Sequence, residues 1–357
     1  MARSNPCAGA GAGPAARADI RQVAARAGLS TATVSRVLTG RGPASADAIR
    51  RVHAAARELD YLPNASASSL RTDRSMMIGV LVPDLANPVF LPFLRAVEHS
   101  AQPLGYAVVV ADTQNSERIE RQQLDRLIAQ GIDGLVMAGR PRQPGQTRRL
   151  SRAGVPVTDP ELFAEHAGTS IRAMTVAAIE EACRHLASLG HRRLAFVTRG
   201  AALQRASAGR WGTIQGACRD LGIEARHVAL MIRPDADDPG AGLAATKLAA
   251  LIRPADSPSV IWSNSLVLAP LLLEALAVAG IEIPARCSFL TFGDSPWATA
   301  YRPPISVVSG DLGSVASAMT ESLLRRLGAV EAEPAVELRP DTYVARSSVG
   351  PAPGTGR

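Results

Sequence analysis

From Met77 onward the chain repeats one unit: a short, mostly apolar run, a turn, then a helical stretch. "IGVLVPD", "YAVVVAD" and "GLVMAG" open three such units, and "RLAFVTRG", "SVIWSN" and "CSFLTFGD" open three more. Strands of this kind, each followed by a helix, predict parallel sheets covered by helices on both faces. About 270 residues of the pattern suggest two lobes rather than one. In open α/β sheets ligands bind beyond the carboxyl ends of the strands. That directs attention to "PDLANPVF", "ADTQNS", "TRGA", "WSNS" and "FGDSP".

Before Met77 the pattern is helical. Asp19 with Gln22 makes a capping box, Val23, Ala24 and Ala27 form one stripe, and Gly28 is a stop. Ser30 caps a second helix that runs to about Leu38. Ser45 caps a third, "SADAIRRVHAAARELDY", with Ile49, Val52, Ala56 and Leu59 read as inward and Pro63 as its breaker. Two short helices joined by a Gly-containing turn, with a third closing the core, are the helix-turn-helix plan. The small, polar "NASASSLRTDRS" is either a flexible linker or a helix that forms only when something holds it.

Composition narrows the function classes. A formal charge of +7 permits a polyanionic partner, and its distribution says where. Residues 19–74 carry nine arginines against five acids, a net +4, which leaves only +3 for the other 301 residues. The aromatic share of 4% argues against a large base-stacking surface. Cys7, Cys183, Cys218 and Cys287 show no paired spacing and read as reduced thiols in a cytosolic protein. No apolar run approaches the ~18 residues of a membrane span, and the opening has no secretory h-region. No GxSxG, Walker A or metal-spaced His/Cys set appears, and the six histidines are scattered. No enzyme, cofactor or metal is therefore expected.

"GLSTATVSRVLTG", 28–40, crowds five hydroxyls and one arginine around a thin stripe of Val34, Val37 and Leu38. A helix that reads DNA needs that mixture, one narrow stripe buried and short polar groups presented to a major groove. Thr31, Ala32, Ser35 and Arg36 then face outward. Arg36 has the fork to meet guanine O6 and N7, and the methyls of Thr31 and Ala32 suit a thymine methyl. The competing reading is a capped surface helix with solvated hydroxyls. The capped helices on either side and the local charge excess favour DNA.

"DIRQVAARAGLSTATVSRVLTG", "SADAIRRVHAAARELDYLPNASASSLRTDRS" and "IGVLVPDLANPVF" together resemble the lactose-repressor (LacI/GalR) family of bacterial transcription regulators. The resemblance runs from Asp19 to about Ser348 and includes "LASLGHRRLAFV", "VAGIEIPARCSFLTFGD" and "RPPISVV". It implies that Thr31 and Ala32 govern operator choice, that Ser30, Thr33 and Ser35 contact phosphates, and that Arg36 enters the major groove. Tyr61 belongs to the same interface. Asn64, Ala67 and Leu70 match a hinge helix that folds on the operator as a dimer, with Leu70 wedged into a minor-groove step; the alternative for Leu70 is a linker leucine tucked onto the lobe below. Thr39, Ala48-Ile49 and Ser68 depart from the family's usual residues, and each departure removes a phosphate contact.

The resemblance also implies an effector cleft between lobes like those of periplasmic sugar-binding proteins. Its candidate residues are Asn87, Phe90, Arg210, Trp211, Asn264, Ser265 and Asp294. Asn87 is read as a helix cap and Phe90 as a stacking face or ordinary core. The family's polar set is eroded, with Asn264-Ser265, Phe292-Gly293-Asp294, Thr213 and Met174 where an Asn-Asp pair, a second acid, an arginine and an aspartate are usual. A neutral sugar, a sugar acid or another small anion met by Arg210 and Arg199, and a diverged or vestigial pocket all stay open.

The expected architecture is an all-α helix-turn-helix headpiece and hinge helix joined to an α/β two-lobe, periplasmic-binding-protein-like domain. Its segments are a disordered tail (1–18), the headpiece (19–63), the hinge (64–75), the effector and dimerisation domain (76–348) and a second disordered tail (349–357). The expected function is a cytoplasmic homodimeric repressor of palindromic operator DNA, controlled by a small sugar-like effector, with no membrane partner. The alternative is a cytosolic small-molecule-binding protein on the same lobes.

Overall fold

The computed structural model describes residues 18–39, 43–61, 74–139, 144–160, 163, 171–199, 208–230, 246, 248, 250, 252, 257–331 and 339–354. The chain divides into two compact units between Ser75 and Met76. In the first, α1 (Ile20–Ala27) opens on the expected capping box: Gln22 N donates to Asp19 Oδ1 and Asp19 N to Gln22 Oε1, each at 2.8 Å. Gly28 ends it with φ 63°, and Leu29 N donates back to Ala24 O at 3.0 Å. α2 (Thr31–Thr39) and α3 (Ala46–Glu58) follow, α3 capped by Ser45.

Val23, Ala24, Ala27, Val34, Val37, Val52, Ala55 and Ala56 form the core of this unit. Ile49, expected inward, is 40% exposed. The reason is rotational, because the buried stripe of α3 runs 48, 52, 55, 56, and Ile49 stands at the edge of it, about 20° beyond Ala56 and about 100° from Ala48.

In the second unit β1 (Met77–Val82) lies between β2 (Ala107–Asp112) and β3 (Gly134–Met137), with β4 (Val157–Thr158) outside β3, all parallel. α4 (Phe90–Ala101), α5 (Glu117–Ala129) and α6 (Pro144–Arg152) belong to this half. The second sheet has the order β10-β9-β8-β7-β5-β6. It is built from β5 (Arg193–Arg199), β6 (Glu224–Leu230), β7 (Val260–Ser263), β8 (Ser288–Phe292), β9 (Ser306–Ser309) and the antiparallel β10 (Thr342–Val344). Its helices are α7 (Ile171–Ser188), α8 (Ala208–Asp220), α9 (Leu268–Val278) and α10 (Pro296–Ala300).

Both faces of the second sheet are buried along its central strands β5, β7 and β8. Ala195, Val197, Ile261 and Phe289 point into one apolar cluster with α9, and Leu194, Phe196, Trp262 and Leu290 into another with α7 and α8. α11 (Leu312–Arg326) leaves the second sheet late in the chain and packs Val315, Ala316, Met319 and Leu323 on Ile78, Val80, Phe93 and Val97 of the first. The chain then returns as β10, so both halves contain segments distant in sequence.

Residues 349–354, expected within a disordered tail, are placed, with Val349 and Ala352 buried. The reason is His191, itself fully buried. The Gly350 carbonyl, 2.9 Å away, can only accept, so Nε2 carries the proton and Nδ1 accepts from Ser259 Oγ at 2.8 Å. Ser288 Oγ adds a bond from Gly350 N at 3.1 Å. The imidazole thus ties the segment before β5 to the end of the chain.

Burial lowers the His191 pKa from 6.5, opposed by its bond to Gly350, and burial lowers His227 as well. The unfolded chain then binds more protons than the folded one below about pH 6.5, so stability present at pH 7–8 falls as pH drops through that value. Thermal melts should show this acid-side loss, and His191→Gln should start lower at pH 8 and flatten the curve. At Gly28 a Cβ would meet only the flexible end of Arg51, so the left-handed φ decides the outcome. Gly28→Ala should destabilise the first unit by about 1–2 kcal/mol in denaturant unfolding.

Candidate functional site

On α2 the buried stripe is as thin as the sequence suggests. Val34 and Val37 are buried and Leu38 is half-buried, while Thr31, Ala32 and Arg36 are exposed and Thr33 and Ser35 half-exposed. Ser30 does two jobs at the helix start: its Oγ accepts from Thr33 N at 3.1 Å and lies 2.9 Å from Thr33 Oγ1. Cap and hydroxyl pair hold the first turn, the part of such a helix that meets base edges. Tyr61 is half-buried and packs on the core of the unit, its N–H donating to Ala56 O at 2.8 Å. Asn64, Ala67 and Leu70 lie outside the described residues, as does the side chain of Thr39.

In the second unit, loops at the carboxyl ends of β1, β2, β5 and β7 enclose a cavity of about 170 Å³. The first sheet's half supplies Pro83, Asp84, Asn87, Phe90 and Asn115; the second's supplies Arg199, Arg210, Asn264, Ser265 and Val267. Arg199 Nη2 and Asp84 Oδ2 face each other across it at 3.8 Å, with side chains 23% and 19% exposed. Arg210 sets its Cζ 4.4 Å above the Phe292 ring and donates to the Asn264 carbonyl at 3.4 Å. Desolvation lowers the Arg210 pKa, opposed by the charge of Asp341, and a guanidinium stays protonated regardless. The Asn264 amide oxygen is buried without a hydrogen-bond partner.

Local sequence explains these positions. Asn115 and Gln114 both hold left-handed φ, 55° and 50°, which Asn and polar residues tolerate better than apolar ones. Asp84 Oδ1 accepts from Ala86 N at 3.0 Å, which leaves Oδ2 toward Arg199. Asn87 does not cap α4; its Oδ1 accepts from Val89 N at 3.3 Å within the preceding turn, because the helix begins only at Phe90. Ser265 Oγ accepts from Leu268 N and so orders the start of α9.

Of the seven expected effector residues, Asn87, Phe90, Arg210, Asn264 and Ser265 line the cavity. Trp211 and Asp294 do not. Trp211 lies 6.0 Å from Phe196, nearly parallel to it, and 5.4 Å from His227, held on the core side of β5 and β6. Asp294 is bound bidentately by Arg346, at 3.0 and 2.6 Å. Asp84 and Asn115 were missed as individual residues, although each sits in or beside a strand-end segment that the α/β pattern singled out; Arg199, named with Arg210 only as a possible partner for an anion, lines the cavity too.

Among the described residues no group of His, Cys, Asp and Glu is arranged to hold a metal ion, and no helix is long and apolar enough to cross a membrane. Cys183 and Cys218 sit 3.7 Å apart in the core between α7 and α8.

Comparison with known proteins agrees with this arrangement. Residues 19–64 match the family described as bacterial regulatory proteins, lacI family, and 183–349 match a periplasmic binding protein-like domain. The HTH-type transcriptional regulator GntR of Pseudomonas aeruginosa is 29% identical over 88% of this chain and 91% of its own length. The repressor CytR of Escherichia coli is 27% identical over 82% and 84%. A LacI-family regulator from Silicibacter pomeroyi superposes with a TM-score of 0.75 at 21% identity, covering 93% of this chain and 99% of that one. The lac repressor dimer bound to operator and the anti-inducer ONPF gives 0.73, also at 21%, covering 94% and 100%. With a helix-turn-helix at its front and paired α/β sheets behind it, the chain belongs to the LacI family of bacterial transcriptional regulators.

Proposed function

We propose that this regulator is a cytoplasmic repressor that grips palindromic operator DNA as a homodimer and releases it when a small polar effector occupies the cleft. The observation that carries the DNA half of the reading is α2 itself. Two buried valines anchor it, Ser30 and Thr33 hold its first turn, and Thr31, Ala32 and Arg36 are exposed on it. In this reading Arg36 meets a base edge, Thr31 and Ala32 select the half-site, and Ser30, Thr33, Ser35 and Tyr61 position the unit on phosphates. Asn64, Ala67 and Leu70 form the hinge, with Leu70 as the minor-groove wedge. Two-fold operators require two-fold protein, hence the homodimer.

The effector half rests on the cavity at the strand ends, whose residues come from both sheets. Asn87, Phe90, Arg210, Asn264 and Ser265, with Asp84, Asn115 and Arg199, form the binding set. Trp211 and Asp294 support it from outside. A ligand that touches both halves binds their two arrangements unequally, and only such a difference shifts an equilibrium.

Selection from a random duplex library tests the first half. It should enrich a palindrome, with affinity falling log-linearly as salt rises. Arg36→Ala should lose about 1–3 kcal/mol per half-site and relax the preference at one base pair, read by fluorescence anisotropy. Enrichment of no palindrome would sink the reading.

A further inference from the structure

Among the described residues, the cavity holds a charge imbalance that no neighbouring side chain corrects. Its lining contains two guanidinium groups, Arg199 and Arg210, and one carboxylate, Asp84, so that its formal charge is +1. Asp341, whose charge also reaches Arg210, accepts from the Thr175 hydroxyl at 2.7 Å and does not line the cavity. Arg199 and Asp84 are about four-fifths buried, and at 3.8 Å their approach is a charge contact rather than a hydrogen bond. Arg199 therefore keeps donors for a further acceptor. Buried charge of one sign is unfavourable unless something pairs with it.

A second feature is independent of the charge. Asn264 is 8% exposed, lines the same cavity, and its amide oxygen has no hydrogen-bond partner. An unpaired buried acceptor calls for a donor, and a carboxylate or phosphate alone brings none. A hydroxyl does. Asp84 offers further acceptor capacity, and Phe90 an apolar face against carbon-bound hydrogens.

We propose that the ligand is a small polyhydroxylated monocarboxylate, a sugar acid, rather than a neutral sugar or a nucleobase. Its carboxylate binds Arg199, with Arg210 supplying the second positive charge, and one hydroxyl donates to Asn264 Oδ1. A single negative charge brings the cavity to neutrality. The carboxylate also competes with Asp84 for Arg199, and this contact joins residues from the two sheets' halves, so that occupancy changes how the halves are held together.

The inference rests on the effector reading of the cleft, and the test separates the two. The full-length protein is titrated by calorimetry and thermal shift with D-gluconate, D-galactonate and D-ribonate. The same is done with D-glucose, D-galactose and D-ribose, and with inosine and adenine. Operator release is followed in parallel. The expected result is saturable binding of at least one acid, with its parent sugar at least tenfold weaker. Arg199→Gln should weaken the acid about tenfold or more, read by calorimetry on the folded variant. Asn264→Ala should weaken the acid in turn, and Arg199→Lys should restore part of the loss from Arg199→Gln. A neutral sugar or purine that binds as well as the acids and releases operator would overturn the sugar-acid inference and leave the effector reading standing. No binding by any compound would overturn both.

Discussion

Burial of both faces of the second sheet's central strands is the constraint on which the rest depends. Along β5 the side chains alternate, Leu194 and Phe196 to one apolar cluster, Ala195 and Val197 to the other. A strand buried on both faces needs helices above and below it, and helical crossovers return each next strand in the same direction. Every carboxyl end in the parallel part of the sheet then falls on one edge. Arg199 and Asn264 reach the cavity because they stand at or just past the ends of β5 and β7, and Asp84 because it follows β1. The site is a consequence of the packing rule, and its chemistry is left to the loops.

The N-terminal unit solves the opposite problem with few residues. Its core is largely valine and alanine, so the helices approach closely and little side-chain surface is needed to close it. That economy frees most of α2 for short polar groups. Caps replace core volume as the source of definition: Asp19, Ser30 and Ser45 each satisfy a backbone donor at a helix start, and such caps are worth about 1 kcal/mol apiece. The exposed pair Arg26–Glu58, at 2.6 Å, adds a link between α1 and α3 that solvent screens.

What was legible in the sequence was what short-range pattern controls. The capping box, the glycine stop, the strand runs and the strand-end segments all depend on residues within a few positions of each other. The departures come from contacts that pattern does not carry. Ile49 differs by one position on a helical wheel, and an alanine-rich stripe gives hydrophobicity little purchase to fix the phase. The pairing of Asp294 with Arg346 spans 52 residues and follows from the return of the chain as β10. The same return sets Gly350 against His191, 159 residues earlier. Trp211 lies on the helix that carries Arg210, and the turn of that helix between them sends one to the cleft and the other to the core. The family resemblance supplied the right helices and loops, but a residue's neighbours decide whether it is free to meet a ligand.

The erosion of the family's usual polar set and the charge of the cavity belong together. Where an Asn-Asp pair is usual, Ser265 has a hydroxyl that accepts from Leu268 N and orders the start of α9. The acid that remains at 294 is neutralised by Arg346. These changes remove negative charge available to a ligand, Thr213 in place of the usual arginine removes a positive one, and Arg199 and Arg210 remain in the lining. In the proposed reading, a lining with two guanidinium groups and one carboxylate suits an anionic ligand, with the fold around it unaltered. Coupling to DNA then requires only that this ligand distinguish two arrangements of the halves by about 1–3 kcal/mol. A cleft whose opposing walls are joined at 3.8 Å by Arg199 and Asp84 is built where a carboxylate would have that leverage.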